Sequence, residues 1–185
     1  MTTQKITVEM YIRTTLKEEI KTIGKEYPYL GFFLMASGIE FLGKCINKSS
    51  DWQKSGESQK DFENAIAHFK SLKKYEQYTS KCNSSTIPTI SLYKSLRCGL
   101  VHAMLPKDNI QLHIGQHKKN DVDNGILHLY FDSFYEDFSN ACDELLSLKH
   151  WPGGKQKNDT FIIISIDEFG NPSSGTTSMN KIVTI

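Results

Sequence analysis

One stretch governs what this chain can fold into. Tyr29-Leu-Gly-Phe-Phe-Leu-Met-Ala-Ser-Gly-Ile-Glu-Phe-Leu-Gly43 is apolar around most of the circumference of a helix. Such a helix has no face to offer water and has to be enclosed by other elements or by lipid. Glu40 interrupts the run and Lys44 ends it, short of the roughly 20 residues a membrane span needs. The expectation is therefore a central, buried helix over about residues 29–46. Pro28 suits its first turn, where a missing N–H costs nothing. Ala36, Ser37 and Gly38 give it a flat side that another helix can approach closely.

The rest of the chain supplies the enclosure. Val8, Ile12, Leu16, Ile20 and Ile23 form an i, i+4 ladder that predicts an amphipathic helix over residues 7–25, with Gly24 as its stop. Residues 47–58 read as an exposed loop. Ser58-x-x-Asp61 matches a capping box, and Phe62, Ile66, Phe69 and Leu72 or Lys73 follow on one helical face. Residues 76–87 are polar. The Ile87-Pro88 step predicts a fourth helix from Pro88 to about Leu105, ahead of Pro106.

The period then changes. Ile110, Leu112 and Ile114 alternate, and Ile126 to Phe131 is strand-like, with a polar connection at 115–125. This pattern predicts a β-hairpin at about 108–131. Ser133-x-x-Glu136 is a second capping-box match, followed by Phe134, Phe138, Ala141, Leu145 and Leu148, an amphipathic helix that Trp151-Pro-Gly-Gly154 ends. Phe161–Ile166 reads as a short strand, 170–178 as a Ser/Gly/Thr segment and Lys181–Ile185 as a last strand. The expected fold is mostly α: a bundle of about five helices over residues 1–150, including the hairpin, with 151–185 as a C-terminal β extension of the same domain.

Composition narrows the classes of function. In 185 residues, 22 Lys+Arg stand against 21 Asp+Glu, which excludes a strongly basic nucleic-acid tail and an acidic solvating one, while leaving room for a local basic site. The N-terminus lacks the apolar core and small-residue cleavage site of a secretory signal. Cys45, Cys82, Cys98 and Cys142 contain no C-x-x-C pair, so reduced thiols in a cytoplasmic, membrane-free setting are expected rather than zinc or a disulfide framework.

The segment Ser91–Lys107 carries the chemistry. On an α-helical wheel Leu92, Tyr93, Leu96, Leu100, Ala103 and Met104 form a stripe that should face the core. Lys94, Cys98, Val101 and Leu105 lie almost opposite, bracketed by Arg97 and His102. A helix apolar on opposite faces needs two packing partners, and a symmetry-related copy can serve as the second. Arg97 and His102 are about 140° apart on an α-helix and make no intrahelical pair. Across a two-fold axis, two arginines and two histidines would converge. An arginine can grip a phosphate bidentately, and a histidine can carry a proton near neutrality. Together they are what cleavage of RNA by its own 2′-hydroxyl requires without a metal.

Arg97-Cys-Gly-Leu-Val-His102 resembles the Arg-x(4–6)-His motif of HEPN domains, all-helical modules of many prokaryotic defence and toxin systems. Gly38-Ile-Glu40-Phe-Leu-Gly43 on the buried second helix looks like the corresponding HEPN segment, and the motif lies in a late helix, as the family expects. The resemblance covers roughly residues 8–149. It implies a homodimer with an active cleft at the subunit interface and metal-independent endoribonuclease activity, with no cofactor. RNA would be the substrate, and an antitoxin or nucleotidyltransferase protein a possible partner. Carried over position by position, Arg97 and His102 would be catalytic, with Glu40 a candidate acid that orients Arg97, against the plainer reading of a buried carboxylate paired structurally with some Arg or Lys. Active members often have Asn, Asp or His directly after the arginine, where this chain has Cys98. The alternative that resemblance leaves open is an inactive HEPN module that binds RNA or a protein.

Other readings sit beside these. Lys94, Lys118 and Lys119 are candidate contacts to RNA backbone, against the plainer reading of a solvated helix face and turn. His113, His117 and His128 could suggest a metal, but on strands and a polar turn they read as solvated histidines. Cys98 as a nucleophile lacks a base fixed beside it by spacing. A helical small-molecule-binding protein would need a deep apolar pocket within one monomer.

Overall fold

Thr7 starts the helical part of the chain: its hydroxyl accepts the Met10 N–H at 3.1 Å, an N-cap placed directly after an extended segment. In this computed structural model, which describes residues 2–49, 51–52, 56–80, 90–103, 105–106, 109–115 and 118–166, that segment is strand β1 (Thr2–Thr7). Helix α1 follows as three segments in series, Val8–Tyr11, Ile12–Glu19 and Ile20–Glu26, the middle one wound as a π-helix. Then come α2 (Pro28–Ile46), α3 (Ser58–His68), a 3₁₀ stretch at Lys73–Tyr78, α4 (Tyr93–Ala103), β2 (Ile110–His113), β3 (Asp121–Asp123), β4 (Ile126–Tyr130), α5 (Phe131–Ser147) and β5 (Thr160–Ile166). The molecule is mostly helical with a small three-stranded sheet and a separate two-stranded β1–β5 pair.

Helix α2 is the central element. Phe32, Met35, Ile39, Leu42 and Cys45 are fully buried along it. Its flat side works as the sequence suggests: a Cβ on Gly38 would lie 2.6 Å from the Phe138 ring of α5 and 3.6 Å from Leu16 of α1. On another side, a Cβ on Gly43 would come within 1.7 Å of the Asp61 carbonyl oxygen, so α3 crosses α2 backbone against backbone. At 19 residues and a mean hydropathy of 1.3, α2 has the length and apolarity of a membrane span, contrary to the expectation from the 29–43 run. Here half of that window is buried against protein.

Several expected boundaries move, each for a local reason. Gly24 does not stop α1, which runs on to Glu26. It is instead the seat of a ring, since a Cβ there would lie 1.9 Å from Phe131 Cζ. The Ser58 capping box does not form. Glu57 takes the cap position, and the buried Asp61 carboxylate accepts the Asn47 side-chain amide at 2.6 Å, tying α3 to the C-terminal end of α2. Helix α3 ends at His68, yet Phe69 and Leu72 are buried as that face requires. Helix α4 is entered at Ser91, whose Oγ accepts the Lys94 N–H at 3.2 Å. Pro88 lies outside the described residues. Helix α5 begins at Phe131 rather than at Ser133, and Phe134, Phe138, Ala141 and Leu145 form its buried stripe.

The β-hairpin is the main correction. Ile110–His113 does not turn back onto Ile126–Tyr130; β2 pairs with β4 in parallel, Ile110 opposite Leu127 and His113 opposite Tyr130. The hairpin partner of β4 is β3, hidden in the segment read as a polar connection. Asn124 (φ 49°) and Gly125 (φ 77°) close that hairpin in the left-handed region, as a two-residue primed turn demands. Parallel pairing then follows from topology, because β2 reaches β4 through a crossover. Strand β5 pairs antiparallel with β1, Thr7 opposite Thr160, so the start of the chain is a strand that the sequence reading missed. Residues 170–178 and 181–185 lie outside the described residues.

Candidate functional site

Helix α4 packs through Leu92, Leu96 and Leu100, all fully buried, a stripe at steps of four. Its turns close as a π-helix over Tyr93–Ala103. Hydrogen bonds from i to i+5 put more than four residues in each turn, and this changes the geometry of the motif. Residues five apart, nearly opposed on an α-helix, come to the same side of a π-helix. Tyr93 and Cys98 share this spacing, and the Cys98 thiol is near enough to the Tyr93 phenol to help raise it. Arg97 and His102 are related by the same step, which corrects the separation of about 140° expected from α-helical geometry.

Arg97 is held from two directions. Its Nε donates to Glu40 Oε2 of α2 at 2.7 Å, with the two side chains 18% and 21% exposed. Its guanidinium carbon lies 5.7 Å from the centre of the Tyr93 ring, within cation–π range. Tyr93 is braced in turn by an edge-to-face contact with Phe62 of α3, centroids 5.6 Å apart. Burial raises the Tyr93 phenol above its ordinary range, and the Cys98 thiol adds to this, while the Arg97 charge pulls the other way. Tyr93 is thus a member of the constellation that the wheel assigned to the core alone. Its position four residues before Arg97 was the available signal.

With Nε taken by Glu40, the two terminal amines of Arg97 carry no ion pair or hydrogen bond among the described residues. They form the fork that recognises carboxylate or phosphate. His102 is exposed in the last turn of α4, and its ring has no hydrogen-bond partner among the described residues. Cys98 is half-buried, Lys94 is exposed, Val101 is half-buried and Leu105 is 64% exposed. The second face of α4 is therefore partly apolar and open in the isolated chain.

Other candidate residues lie elsewhere. Lys118 and Lys119 are exposed at the approach to β3, and Lys118 Nζ sits 6.0 Å from the Tyr130 ring centre. His113 and His128 are not solvated, as the sequence reading had them. They are half-buried and hydrogen-bonded to each other across β2 and β4, because the parallel register sets them on one sheet face. His117 lies outside the described residues. Among the described residues no group of three or more His, Cys, Asp or Glu is placed to hold a metal ion. Of two apolar grooves, one of about 360 Å³ lined by Tyr29, Phe32, Ile110 and Leu112 among others lies within the roughly 300–1,000 Å³ usual for ligand pockets, and one of about 210 Å³ between α1 and α2, lined by Leu16, Ile20, Leu34 and Phe41 among others, lies below it.

No family model, no curated protein and no solved structure matches the chain.

Proposed function

We propose that this chain is a HEPN-type endoribonuclease that cuts RNA by attack of the RNA's own 2′-hydroxyl, at a cleft between two copies of α4 in a homodimer. One observation carries the reading. Arg97 is fixed through Nε by Glu40, its terminal amines are left without protein partners among the described residues, and exposed His102 follows five residues on in the same π-helix. The open face of α4, with Val101 half-buried and Leu105 next to the helix 64% exposed, is the face a second copy would cover.

In this reading Arg97 grips the scissile phosphate with its free fork and stabilises the charge that builds on phosphorus. His102 of one copy accepts the 2′-hydroxyl proton as that oxygen bonds to phosphorus. The second copy's His102, or a water, gives a proton to the departing 5′-oxygen, leaving a 2′,3′-cyclic phosphate and a 5′-hydroxyl. No cofactor takes part. Lys94, and more remotely Lys118 and Lys119, would steer the RNA backbone. Such an enzyme belongs in the cytoplasm, in a toxin–antitoxin or phage-defence setting, with an antitoxin or nucleotidyltransferase protein as a partner.

A second reading, a catalytically inactive HEPN module that binds RNA or a protein, is favoured by one feature. The residue after Arg97 is Cys98, whose thiol is engaged with Tyr93. The experiment that separates the two is RNA cleavage in EDTA by the purified dimer. The nuclease reading expects cleavage that falls by about 10²–10⁴-fold in Arg97→Ala and His102→Ala while dimerisation survives. RNA retention without cleavage in any form selects the second reading. A monomer in solution overturns both the cleft and its chemistry.

A further inference from the structure

The strand that follows α4 is tied to the sheet by an unusual contact. His113 Nε2 on β2 lies 2.8 Å from His128 Nδ1 on β4. A contact this short is a hydrogen bond only if one nitrogen carries a proton and the other offers a lone pair. The His113 ring also stacks on Tyr130, centroids 4.6 Å apart and planes at 21°, and lies 5.0 Å from the His128 ring. Imidazole, imidazole and phenol thus form a short column along one face of the sheet.

We propose that the His113–His128 hydrogen bond is an acid-labile latch that holds β2 on β4 at neutral pH and releases it when both imidazoles are protonated. The chemistry is that of donors and acceptors. A neutral pair, or a pair sharing one extra proton, keeps one acceptor nitrogen and the bond persists. When both rings are cations, all four nitrogens are donors, two charges face each other, and the bond becomes a repulsion.

The groups around the pair favour release over tolerance of a second proton. Burial holds the His113 imidazole below its ordinary range; His128 acts the same way, and so does Lys118 from the segment before β3. Asp121 on β3, opposite His128 in register, acts in the contrary sense. Tyr130 on β4 and Tyr29 on α2 line the same region without charge at neutral pH. A base with a depressed value in the folded state binds fewer protons folded than unfolded. The latch is therefore whole above about pH 6.5 and is lost below that value, as the second imidazole takes its proton.

The neighbours of β2 fit a strand that can come away. Its outer edge has no pairing partner among the described residues, and next to it Ile114 is 57% exposed. A groove lined by Phe32, Pro106, Ile110, Leu112 and Ile114 runs between it and α2. Two strands joined in parallel over four residues hold weakly by themselves.

The test is amide hydrogen exchange of residues 110–115, read by mass spectrometry from about pH 7.5 to pH 5.5 and corrected for the intrinsic rate, on wild type, His128→Gln and His113→Gln. Glutamine keeps hydrogen-bonding capacity and cannot take the charge. Protection of β2 in the wild type is expected to fall about tenfold or more over this range, with that of α5 unchanged, and to stay flat in both variants. Equal wild-type protection at both ends of the range overturns the latch. So does the same fall in a folded His128→Gln protein. Should either variant fail to fold, side-chain nitrogen NMR of the wild-type histidines decides. Loss of the shared proton in step with β2 protection supports the latch, and two independent, ordinary titrations remove it.

Discussion

Glu40 Oε2 accepts the Nε proton of Arg97 at 2.7 Å, joining the buried central helix to the helix that carries the Arg-His pair. The two groups are 57 residues apart in sequence, and each keeps about a fifth of its side-chain surface in solvent. That partial burial sets the worth of the pair. Removing one partner leaves a largely desolvated charge, which costs more than the pair itself contributes.

The expected result of a double-mutant cycle on Glu40→Gln and Arg97→Gln is a coupling of about 1 kcal/mol. Each single change should lower stability by roughly 1–3 kcal/mol, measured as a shift in urea midpoint at constant slope. A coupling near zero would show that the pair is carried passively by the packing of α2 on α4.

Gly43 is the least replaceable glycine in α2. Alanine there would press against the Asp61 carbonyl at 1.7 Å, a backbone group that can move only with all of α3. Gly43→Ala should cost about 3 kcal/mol or more, read by thermal or urea unfolding. At Gly24 the obstacle is the Phe131 ring at 1.9 Å, so Gly24→Ala should be partly restored by Phe131→Leu, whereas no single change at residue 61 should restore Gly43→Ala.

Tyr75 ties three elements together. Its hydroxyl donates to Asp137 Oδ2 on α5 and accepts from the Asn120 side-chain amide, while Asn120 Oδ1 accepts the Tyr130 N–H at 2.6 Å. Tyr75→Phe should cost about 1–3 kcal/mol, because Asp137 and Asn120 each lose a hydrogen-bond partner, with Lys74 at 2.7 Å still paired to Asp137. Burial first, and then the Asp137 carboxylate, push the phenol far above its ordinary range. An acid held protonated in the fold contributes stability that is whole below about pH 10 and is lost as the pH rises beyond it. The alkaline limb of the stability curve should therefore be shallower in Tyr75→Phe.

The thiols should react unequally. Cys45 and Cys142 are fully buried; burial pushes the Cys45 thiol up strongly and the Cys142 thiol up to about 12. Neither should react with a disulfide reagent at pH 8 until the protein unfolds, since the thiolate is the reactive form. Cys98, half-buried on α4, should be modified in the native state. Peptide mapping after brief labelling checks this, and early modification of Cys142 would contradict the packing of α5 on α1 and α2.

What could be read in advance follows the periodicity. The i, i+4 ladder of α1, the all-round apolarity of α2 and the Phe134-to-Leu145 stripe of α5 are repeated over many turns, so they are hard to mistake. The errors fall where a single contact outweighs a local signal. Ser58-x-x-Asp61 has the spacing of a capping box, but Asn47 claims the Asp61 carboxylate. Asn124-Gly125 marks a primed turn in the sequence, but it was masked by the apolar alternation of Ile110, Leu112 and Ile114. Tyr93 belongs with Arg97 and Cys98 because α4 is wound with i to i+5 hydrogen bonds, a winding that no wheel drawn at the α-helical angle contains.

By itself, the order of apolar and polar residues determined that this chain would build a helical core around residues 29–46 and that Arg97 and His102 would share one late helix. Periodic burial is a property of neighbouring residues, so it is written locally. Which strand would pair with β4, and how many residues each turn of α4 would hold, were decided only by the tertiary structure. Those outcomes depend on side chains from distant parts of the chain competing for the same few hydrogen bonds and the same buried space.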